Sequence, residues 1–194
     1  MTLLLVRHAE PVAPGAEGRE ENERPLSEAG LAQALRLAEE LADAGITTVY
    51  SSPYPRARQT VEPLAERLAL PVAIMADLRE RLLSTGPLPD WLDHVERSWA
   101  DFSYALEGGE SSAEAQARVW RVLEPLAERH RSEVAVVASH GNLIALALHR
   151  IVGAGLGVEF WRAMPMPAVY RVEPDGRVTG PGVDAIGAAA ADRP

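Results

Sequence analysis

The sequence LLLVRHAE occupies residues 3–10, and its pattern is nearly repeated downstream as VAVVASHGN at residues 134–142. Each segment is a continuous apolar run of strand length that reaches a histidine, His8 in the first and His140 in the second. Such runs are typical of strands that are covered on both faces of a sheet. In open α/β sheets the reactive groups lie just beyond the carboxyl ends of the strands. We therefore expect the two histidines to face one crevice.

Helix and strand patterns alternate along the rest of the chain. Apolar residues recur at helical spacing after Ser27, a suitable N-cap, and this helix should end near Gly45. The patterns that follow predict a strand at 46–50, a helix at 56–68 and an edge strand at 71–75. A helix is predicted at 90–106, with an aromatic face packed on the core, and another from Ser111 or Ser112 to about 130, with Glu114 in a capping box. The last predicted elements are a helix at 142–152 and a hairpin at 168–179. This order predicts a three-layer α/β/α sandwich with a mostly parallel central sheet.

Length and composition narrow the class of protein. The 194 residues fit one domain over residues 1–180, followed by an Ala/Gly-rich flexible tail at 181–194. A net charge of −9 argues against nucleic-acid binding, which needs a basic surface. The chain has no cysteine and no apolar run near the ~20 residues that span a bilayer. We expect a cytoplasmic protein with neither nucleic acid nor membrane as partner, either a monomer or a homodimer.

The charged residues near the two histidines suggest phosphoryl chemistry. Arg7 and Arg56 would make the crevice cationic and lower the pKa of His8, which leaves a neutral imidazole able to attack phosphorus. Their guanidinium groups are also planar donors for the phosphoryl oxygens. His140 can hydrogen-bond another phosphoryl oxygen, assisted by the N–H groups of Gly141 and Asn142 at the start of the following helix.

Phosphate ester hydrolysis also needs a proton donor for the departing alkoxide. Glu80 is the preferred candidate, because it follows the edge strand in a segment that is free to lean over the pocket, where a bound phosphate dianion favours its protonated form. Glu10 is the alternative and is nearer to His8 in the sequence. If it is not the acid, we expect it at the rim of the substrate pocket.

Several other polar residues have structural interpretations. Arg58 is expected to be a solvated helix charge that could reach the substrate from the rim, and the loop at 11–25 to border the site. The glutamates at positions 20, 21 and 23 are expected to be solvated, and Ser51 and Ser52 to form a turn. A zinc or iron site built from His8, His140 and a carboxylate is disfavoured, because the sequence has no HExxH spacing and two guanidinium groups would repel a cation.

The motifs taken together resemble those of a known family. They are VRHAE at 6–10, SSPYPRARQT at 51–60, LRE at 78–80, GES at 109–111 and SHGN at 139–142. In this order they are similar to the signatures of the histidine phosphatase superfamily, the phosphoglycerate-mutase-like proteins, over about residues 2–150. The resemblance implies a phosphohistidine at His8, a phosphate pocket of Arg7, Arg56 and His140, a proton donor at Glu80, and no metal or other cofactor.

Departures from the family pattern bear on the reaction. Ala9 stands where the commonest motif has glycine, and the polar phosphate ligand often found shortly after the first motif has no counterpart at residues 12–15. The chain is short and RLLSTG follows Glu80, whereas mutases of the family carry longer insertions around the substrate. A more open pocket admits water and favours hydrolysis over transfer.

The leading hypothesis is a phosphomonoesterase that hydrolyses small phosphorylated metabolites through phospho-His8. The first alternative is a cofactor-dependent phosphoglycerate mutase. Another is a noncatalytic module that binds a phospho-ligand or phosphoprotein, although no member of the site constellation is missing from the sequence. A regulator that dephosphorylates phosphohistidine proteins is also considered, and it would need a shallow, open cleft.

Overall fold

The computed structural model describes residues 1–18, 20–153 and 155–183, so the end of the predicted flexible tail lies outside the described residues. Within these ranges six strands form one sheet. The strands are β1 (Thr2–Arg7), β2 (Ile46–Ser51), β3 (Val72–Ile74), β4 (Val134–Ser139), β5 (Ala168–Val172) and β6 (Val178–Thr179). The α-helices are α1 (Glu28–Leu41), α2 (Pro55–Arg67), α3 (Trp91–Ala100), α4 (Ser112–Arg129), α5 (Gly141–Val152) and α6 (Val158–Ala163).

The sheet has the strand order β3-β2-β4-β1-β5-β6. The first four strands in this order are parallel to one another, whereas β5 and β6 run antiparallel to their neighbours. This agrees with a mostly parallel sheet, and β3 lies at an edge as predicted. In the pairing of β1 with β4, Arg7 is opposite Ser139. The residue after each strand is a histidine, so the register alone brings His8 and His140 to one edge of the sheet.

The two central strands are buried on both faces. Leu3 and Leu5 of β1 point into a core formed with α4 and α5, while Leu4 and Val6 point into a second core formed with α1 and α2. Successive strand side chains alternate between faces, so an uninterrupted apolar run requires cover on both sides. The helices supply this cover, which confirms the three-layer α/β/α arrangement.

Local capping explains where two of the helices begin. The Ser27 side chain accepts a hydrogen bond from the Gly30 amide at the start of α1, as predicted. At α4, Ser111 accepts from the Glu114 amide and the Glu114 carboxylate accepts from the Ser111 amide, which is the predicted capping box. Gly30 also permits close packing, because a Cβ there would lie 2.0 Å from the Glu10 carbonyl oxygen.

The helix predicted at 90–106 is shorter than expected. It ends at Ala100, and the next residue, Asp101, is extended. The Asp101 carboxylate accepts hydrogen bonds from the amide and hydroxyl of Ser103, a local pattern that competes with helix continuation. Trp91, at the other end, is half exposed, so only part of the predicted aromatic face packs on the core. No helix of the described residues has the length and apolar character needed to cross a membrane.

Candidate active site

The two histidines that follow β1 and β4 lie in contact. Their ring centroids are 5.2 Å apart in an edge-to-face arrangement, and both side chains are buried. Arg56 belongs to the first turn of α2, and its Nε donates a hydrogen bond to His8 Nε2 at 3.2 Å. The structure therefore brings His8, His140 and Arg56 together at the predicted edge of the sheet.

Backbone contacts fix the orientation of the His8 ring. His8 Nδ1 lies 2.7 Å from the Ala9 carbonyl oxygen, which can only accept, so we assign the ring hydrogen to Nδ1. The Ala9 amide in turn donates to Thr60 Oγ1 at 2.9 Å, which anchors this segment to α2. Nε2 is consequently the nitrogen without a hydrogen. Its lone pair faces the Arg56 guanidinium, and it is the ring atom that can act as a nucleophile.

Burial and neighbouring guanidinium groups keep both imidazoles neutral. Burial, followed by the charge of Arg56, lowers the pKa of His8 from 6.5 to about 3. The pKa of His140 is also lowered well below its usual range, chiefly by burial. A group that is neutral near pH 7 retains its lone pair for attack on phosphorus, as the sequence predicted for His8.

Ser52 contacts the His140 ring at one nitrogen. Ser52 Oγ accepts a hydrogen bond from the Tyr54 amide at 3.3 Å and lies 2.7 Å from His140 Nε2. We assign the Ser52 hydroxyl as the donor to Nε2, which puts the His140 ring hydrogen on Nδ1, a buried atom with no partner within the described residues. The sequence analysis treated Ser52 as a turn residue, and only its position in the SSPYPR motif hinted at another role.

We expect Ser52→Ala to weaken the binding of inorganic phosphate and lower kcat/KM, each by about tenfold. Without the hydroxyl, His140 can place its hydrogen on Nε2 and present an acceptor to the phosphate. Isothermal titration calorimetry measures the affinity, and ¹⁵N NMR of the imidazoles measures the tautomer. The control is Ser51→Ala, a buried serine whose hydroxyl donates to the Ser52 carbonyl. Phosphate affinity at the wild-type level in Ser52→Ala would contradict this role.

Arg7 is held at the same edge of the sheet. Its Nη1 donates to the Met164 carbonyl oxygen, and its buried Nε has no partner within the described residues. Burial lowers the pKa of Arg7, while the nearby Glu80 raises it. Gly141 makes room for this arrangement, because a Cβ there would lie 3.0 Å from the Arg7 guanidinium. The glycine of SHGN thus allows Arg7 to pack against the start of α5.

Glu80 lies at the N-terminus of α5. Its carboxylate accepts hydrogen bonds from the amides of Asn142 (3.1 Å), Leu143 (3.0 Å) and Arg81 (2.9 Å). Two sequence predictions are corrected by this finding: the carboxylate is anchored instead of being free to lean over the pocket, and the Asn142 N–H is not available to a phosphate. The partial positive charge of a helix N-terminus attracts an anion, and Glu80 is that anion here.

A buried ion pair holds the segment that carries Glu80. Arg118 of α4 donates two hydrogen bonds to the Glu110 carboxylate, at 2.6 and 2.7 Å. Its Nη1 also donates to the carbonyl oxygens of Asp77 (2.6 Å) and Arg79 (3.1 Å), which precede Glu80 in the sequence. The GES motif indicated Glu110, whereas nothing in the sequence indicated Arg118, because their pairing depends on how α4 packs.

The two residues expected at the substrate rim have other contacts. The exposed Glu10 carboxylate accepts a hydrogen bond from Ser27 Oγ at 2.9 Å, at the start of α1. Arg58 pairs with Glu62 one turn along α2, at 3.2 Å, as expected of a solvated helix charge. Neither side chain has a hydrogen bond to His8, Arg56 or the other pocket residues described above.

Two further side chains contact the cluster. The Tyr54 ring packs edge-on against His140, with centroids 5.0 Å apart, and lies 5.0 Å from the Arg56 guanidinium carbon. The Glu21 side chain is 62% exposed, as the sequence predicted, and its carboxylate is in addition paired with Arg56 at 3.1 Å. Glu21 was missed because a Glu-rich loop carries no local signal for a contact with a distant helix.

Comparisons with known proteins identify the family of this chain. The family model described as histidine phosphatase superfamily (branch 1) matches residues 3–179. A metal-independent phosphoserine phosphatase from Arabidopsis thaliana is 31% identical over 165 residues, which cover 78% of this chain and 69% of the relative. A probable phosphoglycerate mutase from Yersinia pestis (strain Pestoides F) is 29% identical over 164 residues, with 79% and 75% coverage.

Among solved structures, a mycobacterial glucosyl-3-phosphoglycerate phosphatase has the same fold. It superposes with a TM-score of 0.72 at 22% identity, and the match covers 93% of this chain and 96% of that chain.

Proposed function

Because the chain belongs to branch 1 of the histidine phosphatase superfamily, we propose that it is a phosphoric monoester hydrolase acting on small phosphorylated metabolites. The observation that carries the proposal is the neutral His8, whose Nε2 accepts a hydrogen bond from Arg56, beside a His140 whose Nδ1 has no partner in the part of the chain that the structure describes. The phosphatase names of relatives such as the Arabidopsis phosphoserine phosphatase support the same reaction.

The reaction proceeds in two steps. His8 Nε2 attacks phosphorus, the bond from phosphorus to the ester oxygen breaks, and Glu80 gives its proton to the departing alkoxide. Water then attacks the phosphohistidine, Glu80 takes a proton from this water, and the bond from Nε2 to phosphorus breaks to release inorganic phosphate. Arg7, Arg56 and His140 hydrogen-bond the phosphoryl oxygens, over which the transition-state charge is spread.

Three backbone amides hold the Glu80 carboxyl group in place in the ligand-free protein. In the proposed reaction this one group serves twice: it gives its proton to the departing alkoxide, and the carboxylate that remains then takes a proton from the attacking water.

Metal independence and a cytoplasmic location are parts of the same proposal. The guanidinium groups of Arg7 and Arg56 would repel a metal cation from the reacting nitrogen. A chain without cysteine is compatible with a reducing compartment.

The test is an assay of product chemistry in the presence of a chelator. We expect inorganic phosphate to be released from phosphoserine, 3-phosphoglycerate or an aryl phosphate, at a rate that the chelator does not change. Because some relatives are named probable phosphoglycerate mutases, ³¹P NMR with 3-phosphoglycerate distinguishes the alternative. Formation of 2-phosphoglycerate without free phosphate would assign a mutase, and activity that disappears with chelator would contradict the metal-independent mechanism.

A further inference from the structure

Arg24 is a largely buried arginine at the end of the loop that follows β1. Only 12% of its side chain is exposed, and its Nε donates to the Val12 carbonyl oxygen at 2.9 Å. This contact holds the guanidinium beside Val12, the first residue of the VAPG segment at 12–15, which has no polar side chain for phosphate. Arg24 thus brings a donor group next to a segment that has no side-chain donor of its own.

A carboxylate already lies between Arg24 and the phosphate pocket. Arg24 Nη1 donates to both oxygens of Glu21, at 2.8 and 2.6 Å, and Arg56 Nη2 contacts Oε1 of the same carboxylate at 3.1 Å. Arg56 Nη1 also donates to the Glu21 backbone carbonyl oxygen at 2.5 Å. Two guanidinium groups from different elements thus hold one anionic group in the ligand-free protein.

This anion lies close to the reacting nitrogen. Arg56 is rigidly placed, since it is 2% exposed, and its Nε contacts His8 Nε2 while its Nη2 contacts Glu21. Both contacts are made by the same planar guanidinium group, with His8 at Nε and the Glu21 oxygen at Nη2. Carboxylate and phosphoryl oxygens are recognised by the same fork of N–H donors. The charge of Arg24 also contributes to lowering the pKa of His8, which agrees with its proximity to the pocket.

We propose that Arg24 is a substrate-binding residue of the phosphate pocket, and that the Glu21 carboxylate occupies the position that phosphoryl oxygens of the substrate take between Arg24 and Arg56. This inference rests on the proposed function for the identity of its ligand. Arg24 then supplies the phosphate contact that residues 12–15 lack.

Glu21 is suited to being displaced. Its side chain is 62% exposed, and among the described residues its carboxylate is held by contacts to Arg24 and Arg56. A phosphate dianion carries more charge than a carboxylate, and the two anions repel each other at short distance. Substrate therefore replaces the carboxylate, which until then bridges the two guanidinium groups and offsets part of their charge.

Calorimetric titration of the full chain with inorganic phosphate tests the inference without requiring turnover. We expect Arg24→Met to weaken phosphate binding by about 10- to 100-fold, because a charge-assisted hydrogen bond is lost. We expect Glu21→Gln to strengthen it by about three- to tenfold, because the competing charge is removed while the shape is kept. Arg36→Met and Glu39→Gln, exposed on α1, make the same charge changes away from the pocket and should bind phosphate as the wild type does.

Two outcomes would overturn the inference. Wild-type phosphate affinity in a folded Arg24→Met variant would show that Arg24 only stabilises the loop. If Arg24→Met does not fold, Glu21→Gln decides: unchanged or weaker phosphate binding would show that its carboxylate does not occupy the phosphate position. Failure of the proposed function has a different signature, namely phosphate binding that depends on Arg24 in a protein that hydrolyses no phosphate ester.

Discussion

His8→Ala is expected to lower kcat/KM for any phosphate ester by a factor on the order of 10⁴ or more, because it removes the proposed nucleophile and with it the covalent intermediate. The wild type, quenched during turnover, should carry phosphate on a histidine ring, seen as an acid-labile, base-stable label or by ³¹P NMR, and the variant should carry none. Phosphate binding should persist in part, since Arg7, Arg56 and His140 remain. His94→Ala, on α3, is the matched control and should retain both label and activity.

The lowered pKa of His8 adds a pH signature to this experiment. The pKa of His8 is about 3 in the folded protein and has its ordinary value of 6.5 in the unfolded chain. Between pH 3 and 6.5, His8 is therefore neutral in the folded protein and protonated in the unfolded chain. Acidification from pH 6.5 towards 3 therefore favours the unfolded state. We expect His8→Ala to lose less unfolding free energy than the wild type over this range. Activity in His8→Ala at the wild-type level would refute the covalent mechanism.

Glu80→Gln is expected to lower kcat/KM for alkyl phosphates by roughly 10²- to 10⁴-fold, the usual contribution of a general acid. The loss should be much smaller for an aryl phosphate such as p-nitrophenyl phosphate, because a phenolate needs no proton in order to leave. Hydrolysis of the phosphohistidine should still be slow, since the base is also lost. Rapid-quench measurements with the aryl ester should therefore show a burst of phenolate followed by accumulation of phosphorylated enzyme.

Glu10→Gln is the informative comparison, because Glu10 is the rival carboxylate by sequence. Its side chain is exposed and bonded to Ser27, so we expect activity within about twofold of the wild type. Thermal melts of both variants separate catalysis from folding, since Glu80→Gln also removes a favourable charge from the N-terminus of α5, at a cost of about 0.3–1 kcal/mol. Equal losses for alkyl and aryl esters in Glu80→Gln would contradict its role as proton donor.

The sequence alone predicted the layers and the histidine pair. Apolar runs such as 3–6 and 134–138 require cover on both faces, and this requirement is local and strong enough to predict central strands. Because parallel strands end at one edge of the sheet, His8 and His140 follow from the pattern without any knowledge of the packing. The place of Arg56 beside the histidines was predicted from its charge and from the resemblance of the motif at 51–60 to that of a known family.

Contacts between distant segments were not predictable in the same way. Helix α3 ends at Ala100 because the Asp101 side chain accepts a hydrogen bond from the Ser103 amide, which competes with the bonding of a continuing helix. The spacing of apolar residues does not predict this hydrogen bond. The anchoring of Glu80 on the amides of α5 depends on where a loop meets a helix 62 residues away. Ser52, Arg118 and Glu21 were missed for the same reason, since their partners lie on other elements.

The sequence by itself determined the fold class, the edge of the sheet where His8 and His140 meet, and the residue types of the proposed phosphate site. These properties depend on periodicity and on strand ends, which are encoded by neighbouring residues. Only the tertiary structure decided which nitrogen of each histidine is available, which anion occupies the N-terminus of α5, and which carboxylate pairs with Arg56 in the ligand-free protein. Hydrogen bonds and ion pairs depend on distances of a few ångströms between segments, and those distances are set when the whole chain packs.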